Sequence, residues 1–161
     1  AIATLRMLNL NIKDKNIQDG IQKINNVARL QEIKSGKLKN LVKNNLFLLS
    51  GDHNEDGARV LNEYLDSLNC KKHVIIGMMA NKDHERYIGY FNNISSITTI
   101  DIPNQPNAIS GLDLKKKFEK KINAGYQKSI EQAIKSINLN SGDLLLITGS
   151  LYLASEILNL N

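Results

Sequence analysis

Apolar residues in this chain fall into short runs and helical repeats that take turns along the sequence. Leu46, Phe47, Leu48 and Leu49 form an unbroken run too short for a lone helix, the pattern of a strand buried on both faces. His73-Val74-Ile75-Ile76-Gly77 and Asp143 to Thr148 repeat that pattern, and Ser95 to Ile102 adds a β-branched run (Ile97, Thr98, Thr99, Ile100, Ile102) closed by Pro103 and Pro106. Helical spacing separates these runs. It predicts helices from about Asp56 to Asn69 (Ala58, Leu61, Leu65, Leu68), Asp83 to Phe91, Ser110 to Ile122, Ser129 to Ile137 and Leu151 to Leu158. Asp83 and Ser110 suit helix caps, and Glu131 and Lys135 form an i,i+4 pair. Ile122 to Gln127 is ambiguous and has room for a short strand. Upstream, Ile2 to Leu10 and Lys15 to Ile24 are helical, the second capped by Asp14, and both are short enough to need a partner surface. Val27, Leu30 and Ile33 alternate with Arg29, Gln31 and Glu32, which predicts a half-exposed strand before a turn at Gly36. Asn25-Asn26 is the expected domain boundary.

Strand and helix alternate at least four times, which implies an α/β fold: a mostly parallel sheet, right-handed crossovers and helices on both faces. In such a sheet ligands sit beyond the carboxyl ends of the strands. The ends at Ser50, Gly77 and Gly149 then open on one edge, and residues near His53, Lys82 and Ser150 converge there. The strand-to-helix turn after Leu49 also leaves backbone N–H groups free at a helix start, where an anion or carboxylate fits. The plainer reading is that Asp52, Asn54 and Asp56 only cap that helix.

The chain has 161 residues, 42% hydrophobic and 23% charged, enough for one ordinary globular domain. The amino terminus lacks an initiator Met and a signal-peptide core, so the chain reads as a piece of something longer. No apolar run approaches a membrane span, so no membrane partner is expected. Cys70 is the lone cysteine, which fits a reducing cytoplasm without disulfides. The net charge is +5, yet aromatic residues make up only 5% and Trp is absent, which argues against base stacking and a nucleic-acid partner. Lys115, Lys116, Lys117, Lys120 and Lys121 lie mostly away from Leu112, Leu114 and Phe118, as on a solvated helix face. No phosphate-cradling glycine loop, paired-cysteine motif or nucleophile elbow is present, and His53, His73 and His84 lack metal-ligand spacing. From the residues alone, Ser150 either caps the last helix or hydrogen-bonds a ligand. Tyr152 is either core or contact, Lys82 either solvated or a carboxylate partner, and Arg29 reads as a strand-edge surface arginine.

Three separated blocks carry a resemblance. Leu49-Ser50-Gly51-Asp52-His53-Asn54-Glu55-Asp56-Gly57-Ala58 resembles L-D-G-A-H-N-P-x-G-A, Gly77-Met78-Met79-Ala80-Asn81-Lys82-Asp83 resembles G-M-x-x-D-K-D, and Gly149-Ser150-Leu151-Tyr152-Leu153 matches G-S-L-Y-L. Ala28-Arg29-Leu30-Gln31 is similar to an opening G-R-L-E. In this order the blocks resemble the C-terminal domain of folylpolyglutamate synthase and dihydrofolate synthase, members of the Mur ligase superfamily. Ser50 stands where that pattern has aspartate, with an acid two positions later at Asp52; Glu55 replaces its proline and Ala28 its glycine.

The resemblance implies a Rossmann-like, mostly parallel sheet forming the C-terminal domain of a Mur-type ligase over residues 26–161. Residues 1–25 are then the tail of a preceding ATPase domain. It further implies a monomeric, cytoplasmic, ATP-dependent enzyme that joins glutamate to dihydropteroate or folate. ATP and Mg²⁺ are held mainly by the N-terminal ATPase domain, and no metal ligand is expected here. By similarity Arg29, Ser50 and Asp52 contact the nucleotide, with Arg29 at the phosphates. His53, Lys82, Ser150 and Tyr152 surround glutamate, and His53 orients the amine or accepts its proton. A binding module that kept the fold and lost the chemistry is the alternative.

Overall fold

The computed structural model describes every residue except Ala1, Asn9, Asn11 and Asn25, and for Leu5 the backbone only. Asn25, one side of the expected boundary, and Asn9, within the expected first helix, therefore lie outside the described residues. Helices α1 (Ile2–Met7) and α2 (Asp14–Gln22) precede an alternating body. That body runs β1 (Gln31–Glu32), α3 (Lys37–Val42), β2 (Leu46–Leu49), α4 (Glu55–Asp66), β3 (Lys72–Ile76), α5 (His84–Gly89), β4 (Ser96–Ile100), α6 (Gly111–Glu119), β5 (Ala124–Gln127), α7 (Ile130–Ser136), β6 (Leu144–Thr148) and α8 (Leu151–Leu160). The six strands form one sheet in the order β1-β2-β6-β3-β4-β5. Every neighbouring pair is parallel except β1 with β2. No described helix is long and apolar enough to cross a membrane.

The apolar runs became the central strands because both faces of the sheet are covered. Phe47, Leu49, Ile75, Leu145 and Ile147 point to one side, where they pack with Leu38 and Val42 of α3, Ile130 and Ile134 of α7, and Leu153 and Ile157 of α8. Leu48, Val74, Ile76, Leu144 and Leu146 point to the other, against Leu61 and Leu65 of α4, Tyr87 of α5, and Leu114 and Phe118 of α6. All five helices after β2 start on a capping side chain: Asn54, Asp83, Ser110, Ser129 and Ser150.

Several expectations are corrected. The strand expected over Val27 to Ile33 shrinks to Gln31–Glu32, because Ala28 (φ 57°) and Leu30 (φ 48°) take left-handed backbone that no strand can hold. Helix α3, which the sequence did not predict, is capped from the far end of the chain: the Asn161 side-chain oxygen accepts from Leu38 N (3.1 Å) and Lys39 N (3.2 Å). Asp14 lies in the first turn of α2, and its N-cap Lys13 makes no side-chain cap bond. Glu131 pairs with Lys37 at 2.6 Å, tying α7 to α3, while Lys135 is a minor, more distant charge. Ile122 to Gln127 resolves into β5. Lys115, Lys116 and Lys120 are met by Glu119, Asp113 and Glu85, a solvated face of ion pairs.

Candidate functional site

Strands β2, β3 and β6 run parallel, so their carboxyl ends share one edge. At that edge β2 passes into the turn 50–54 before α4. The hydroxyl of buried Ser50 donates to Asp52 Oδ2 and lies 3.4 Å from Leu30 N. Asp52 Oδ1 receives Arg29 Nη1 at 3.1 Å. Arg29, Ser50 and Asp52 are thus one hydrogen-bonded chain. The acid displaced by two positions folds back onto the serine, and the arginine at its outer end has half its side chain (52%) in solvent. Arg29 reaches this place because Gly51 N bonds the carbonyl of Ala28 at 2.7 Å, clamping the left-handed segment to the turn.

His53 Nδ1 lies 2.9 Å from the carbonyl oxygen of Gly51. A carbonyl only accepts, so Nδ1 carries the proton and Nε2 is the lone-pair nitrogen of the neutral ring. Asn54 caps α4 through Gly57 N at 2.9 Å, and Asp83 caps α5 through Arg86 N at 3.1 Å. Ser150, 2% exposed, accepts from Tyr152 N at 3.1 Å, so it does cap the last helix. It also borders the hollow described next, so the cap does not exclude a ligand contact. Tyr152 is 53% exposed, which overturns core packing as its role.

The three strand ends enclose a hollow of about 450 Å³ lined by His53, Met79, Lys82, Ser150, Leu151, Tyr152 and Ser155. It continues past Lys82 and Tyr152 toward Asn81, Pro106 and Asn107. Lys82 is half-buried and enters no salt bridge among the described residues. A cation, a hydroxyl donor and an imidazole lone pair around one space can hold a carboxylate and take a proton from an amine beside it. The closeness of these loops rests on Gly149 (φ 106°), where a Cβ would come within 2.6 Å of the Gly77 carbonyl oxygen.

Sequence reasoning missed Met79, Ser155 and Asn107. Ser155 had a usable signal, since it lies one helical turn from Leu151 and Tyr152. Asn107 had none, because the loop after β4 returns only through the bridge between Met79 and Ala108. Among the described residues no three His, Cys, Asp or Glu side chains gather as a metal site. A smaller hollow of about 240 Å³ between α7 and α8 is lined by none of the candidate site residues Arg29, Ser50, Asp52, His53, Lys82, Ser150 and Tyr152.

Known proteins share this architecture. The bifunctional folylpolyglutamate synthase/dihydrofolate synthase of Yersinia pestis CO92 superposes with a TM-score of 0.82 at 19% identity over 98% of this chain and 36% of its own. The E. coli FolC complex with DHPP and ADP gives 0.82 at 19% identity, over 98% and 36%. The folylpolyglutamate synthase of Thermotoga maritima gives 0.72 at 23% identity, over 99% and 38%. The chain therefore spans little more than a third of the solved chains it resembles. No curated protein sequence matches it. The family model for the Mur ligase, glutamate ligase domain matches residues 29–151, from the arginine beside Asp52 to the first turn of α8. The chain belongs to the Mur ligase C-terminal, glutamate ligase domain family.

Proposed function

We propose that this chain is the glutamate- and nucleotide-contacting domain of an ATP-dependent ligase that adds glutamate to dihydropteroate or folate. One observation carries the reading: His53, Lys82 and Ser150, from three separate loops, border a single hollow, and His53 follows directly on Asp52, the partner of Arg29. Solved relatives of the same architecture hold DHPP and ADP in one case and Mn, AMPPNP and L-glutamate in another.

In this reading a pterin-linked carboxylate attacks the γ-phosphorus of ATP and ADP leaves. The glutamate amine then attacks the acyl carbon, phosphate departs, and the amine gives up a proton. Arg29 steadies the phosphate charge with a planar, permanently charged group. Ser50 was expected to contact the nucleotide, but it is fully buried and gives its hydroxyl to Asp52, so it acts by fixing Asp52, which in turn aims Arg29 at the nucleotide. Lys82 pairs with a glutamate carboxylate, Ser150 and Tyr152 donate to it, and Nε2 of His53 takes the amine proton. The gathering of ATP and most Mg²⁺ contacts falls to the protein's own N-terminal ATPase domain, of which residues 1–25 are the tail and linker. Helix α2 has no buried residue, as expected of a surface that another domain covers.

The test is glutamate-dependent ADP release by the full-length protein with dihydropteroate and with tetrahydrofolate. Ser150→Ala is expected to raise the glutamate KM about tenfold with a smaller change in kcat. A well-folded wild type inactive with both pterins would overturn the reading. It would favour a diverged binding module, a view that the pairing of Arg29 with Asp52 and the loss of aspartate at Ser50 support.

A further inference from the structure

One backbone oxygen at the sheet edge has more donors around it than a turn needs. The carbonyl of Asp52 accepts from Gly149 N at 3.0 Å. The Tyr87 hydroxyl lies 3.2 Å from the same oxygen and the Thr148 hydroxyl 3.4 Å, and the two hydroxyls lie 3.1 Å apart. Tyr87 is fully buried, and Thr148 is 1% exposed. The three donors come from α5, the end of β6 and the turn after β6. Asp52 itself lies in the turn after β2. Each of the loops that supply His53, Lys82 and Ser150 is therefore tied, directly or through the helix it leads into, to this one atom. Helix α5 starts immediately after Lys82 and Asp83, and His84 secures that loop from below with Nε2 at 3.0 Å from the Met79 carbonyl.

The two hydroxyls carry one hydrogen each, shared among three oxygens. Either both donate to Asp52, or Tyr87 donates to Asp52 and Thr148 to Tyr87, or Thr148 donates to Asp52 and Tyr87 to Thr148. Every arrangement leaves the carbonyl with at least one hydroxyl donor besides Gly149. Burial, the larger influence on Tyr87, keeps its phenol protonated, against a smaller opposing effect of the Thr148 hydrogen bond. A donor is thus always present. Neither side chain lines the hollow, so neither is placed to touch a ligand.

We infer that Tyr87 and Thr148 are positioning residues, a redundant pair that holds the Asp52–His53 turn in register with Lys82 and Ser150. The inference rests on the functional reading above for what is positioned, and on the hydrogen bonds alone for how. Redundancy makes a specific claim. In Tyr87→Phe the threonine hydroxyl turns to the carbonyl, in Thr148→Val the tyrosine does, and only the double variant leaves Gly149 as the sole donor.

The experiment uses the full-length protein, with each variant shown to be folded by circular dichroism at the assay temperature. Hydrogen–deuterium exchange is followed in peptides covering 50–54 and 149–153, with β3 as internal reference. Each single variant is expected to change exchange at these turns by less than about threefold, and the double by about tenfold or more, with β3 unchanged. Glutamate-dependent turnover is expected to follow the same non-additive pattern, with kcat lowered in the double variant while the KM for ATP holds. Additive exchange effects, or faster exchange spread equally over β3, would overturn the inference and leave Tyr87 as core packing. If the wild type turns over no pterin, the ligase reading fails, and exchange alone decides the positioning claim.

Discussion

The two ends of the sheet hold similar chemistry in opposite states. At the carboxyl ends, Ser50, Asp52 and Arg29 form a chain of hydroxyl, acid and cation that finishes in solvent. At the amino ends, Ser96, His73 and Asp143 form a chain of hydroxyl, imidazole and acid. His73 Nδ1 lies 2.7 Å from the Ser96 hydroxyl, and Nε2 lies 3.3 Å from Asp143 Oδ2. There the last group is buried, its side chain 7% exposed, and Asp143 is already bonded to Asn140 N at 2.8 Å. Hollow size does not separate the two edges, since one of about 550 Å³ opens beside His73 and Ser96. What differs is whether the chain of partners closes on itself. A closed chain holds strands together, whereas an open one keeps a group available for something that arrives.

The sharpest way to break this comparison is to remove one member from each end. Arg29→Ala in the full-length protein is expected to cut ATP turnover on the order of a hundredfold or more, with little loss of stability. His73→Ala is expected to do the reverse, lowering unfolding free energy by about 2 kcal/mol while activity per folded molecule stays near wild type. Urea titration and steady-state kinetics on both variants decide it, and the same loss of turnover in each would erase the distinction. A finer test uses pH. The backbone hydrogen bond from Asn140, with His73 helping against the opposing effect of burial, holds the Asp143 carboxyl below the usual carboxylate range. A group lowered in the folded state stabilises above its unfolded value and loses that contribution as pH falls through the folded one. Below about pH 4 wild type should therefore lose stability more steeply than Asp143→Asn, as acid titrations followed by circular dichroism would show. The smallest effect belongs to the surface link between the two site loops. Arg86 meets Glu55 at 3.1 Å and Asp83 at 3.3 Å with 69% of its side chain exposed. Its change to alanine should leave the urea midpoint indistinguishable from wild type.

Sequence reading succeeded where the controlling interaction is local. β2, β3 and β6 announce themselves because strands covered on both faces need unbroken apolar runs. That His53, Lys82 and Ser150 would come to one edge was legible because each follows a strand end within a few residues. Reading failed where the partner is distant. Helix α3 has its cap 122 and 123 residues away in Asn161, so nothing near Gly36 signals a start. Tyr87 looks like any core aromatic on an amphipathic helix, and its hydroxyl partners Thr148 and Asp52 lie 61 and 35 residues off. The segment 28–30 failed for another reason: side-chain alternation says nothing about the sign of φ, and two left-handed residues there outweigh it.

The shortest strand has a further role. β1 is two residues long, yet with Ile33 N on the Phe47 carbonyl it is what stands between β2 and an open sheet edge. β2 is Leu-Phe-Leu-Leu, short, uncharged and free of proline, the kind of sequence that recruits other chains when its ladder is unpaired. The segment that carries Arg29 is therefore also a guard against self-association. Changes made between Ala28 and Glu32 to probe nucleotide contacts can surface as turbidity before they surface as kinetics, and light scattering belongs beside every rate measured on them.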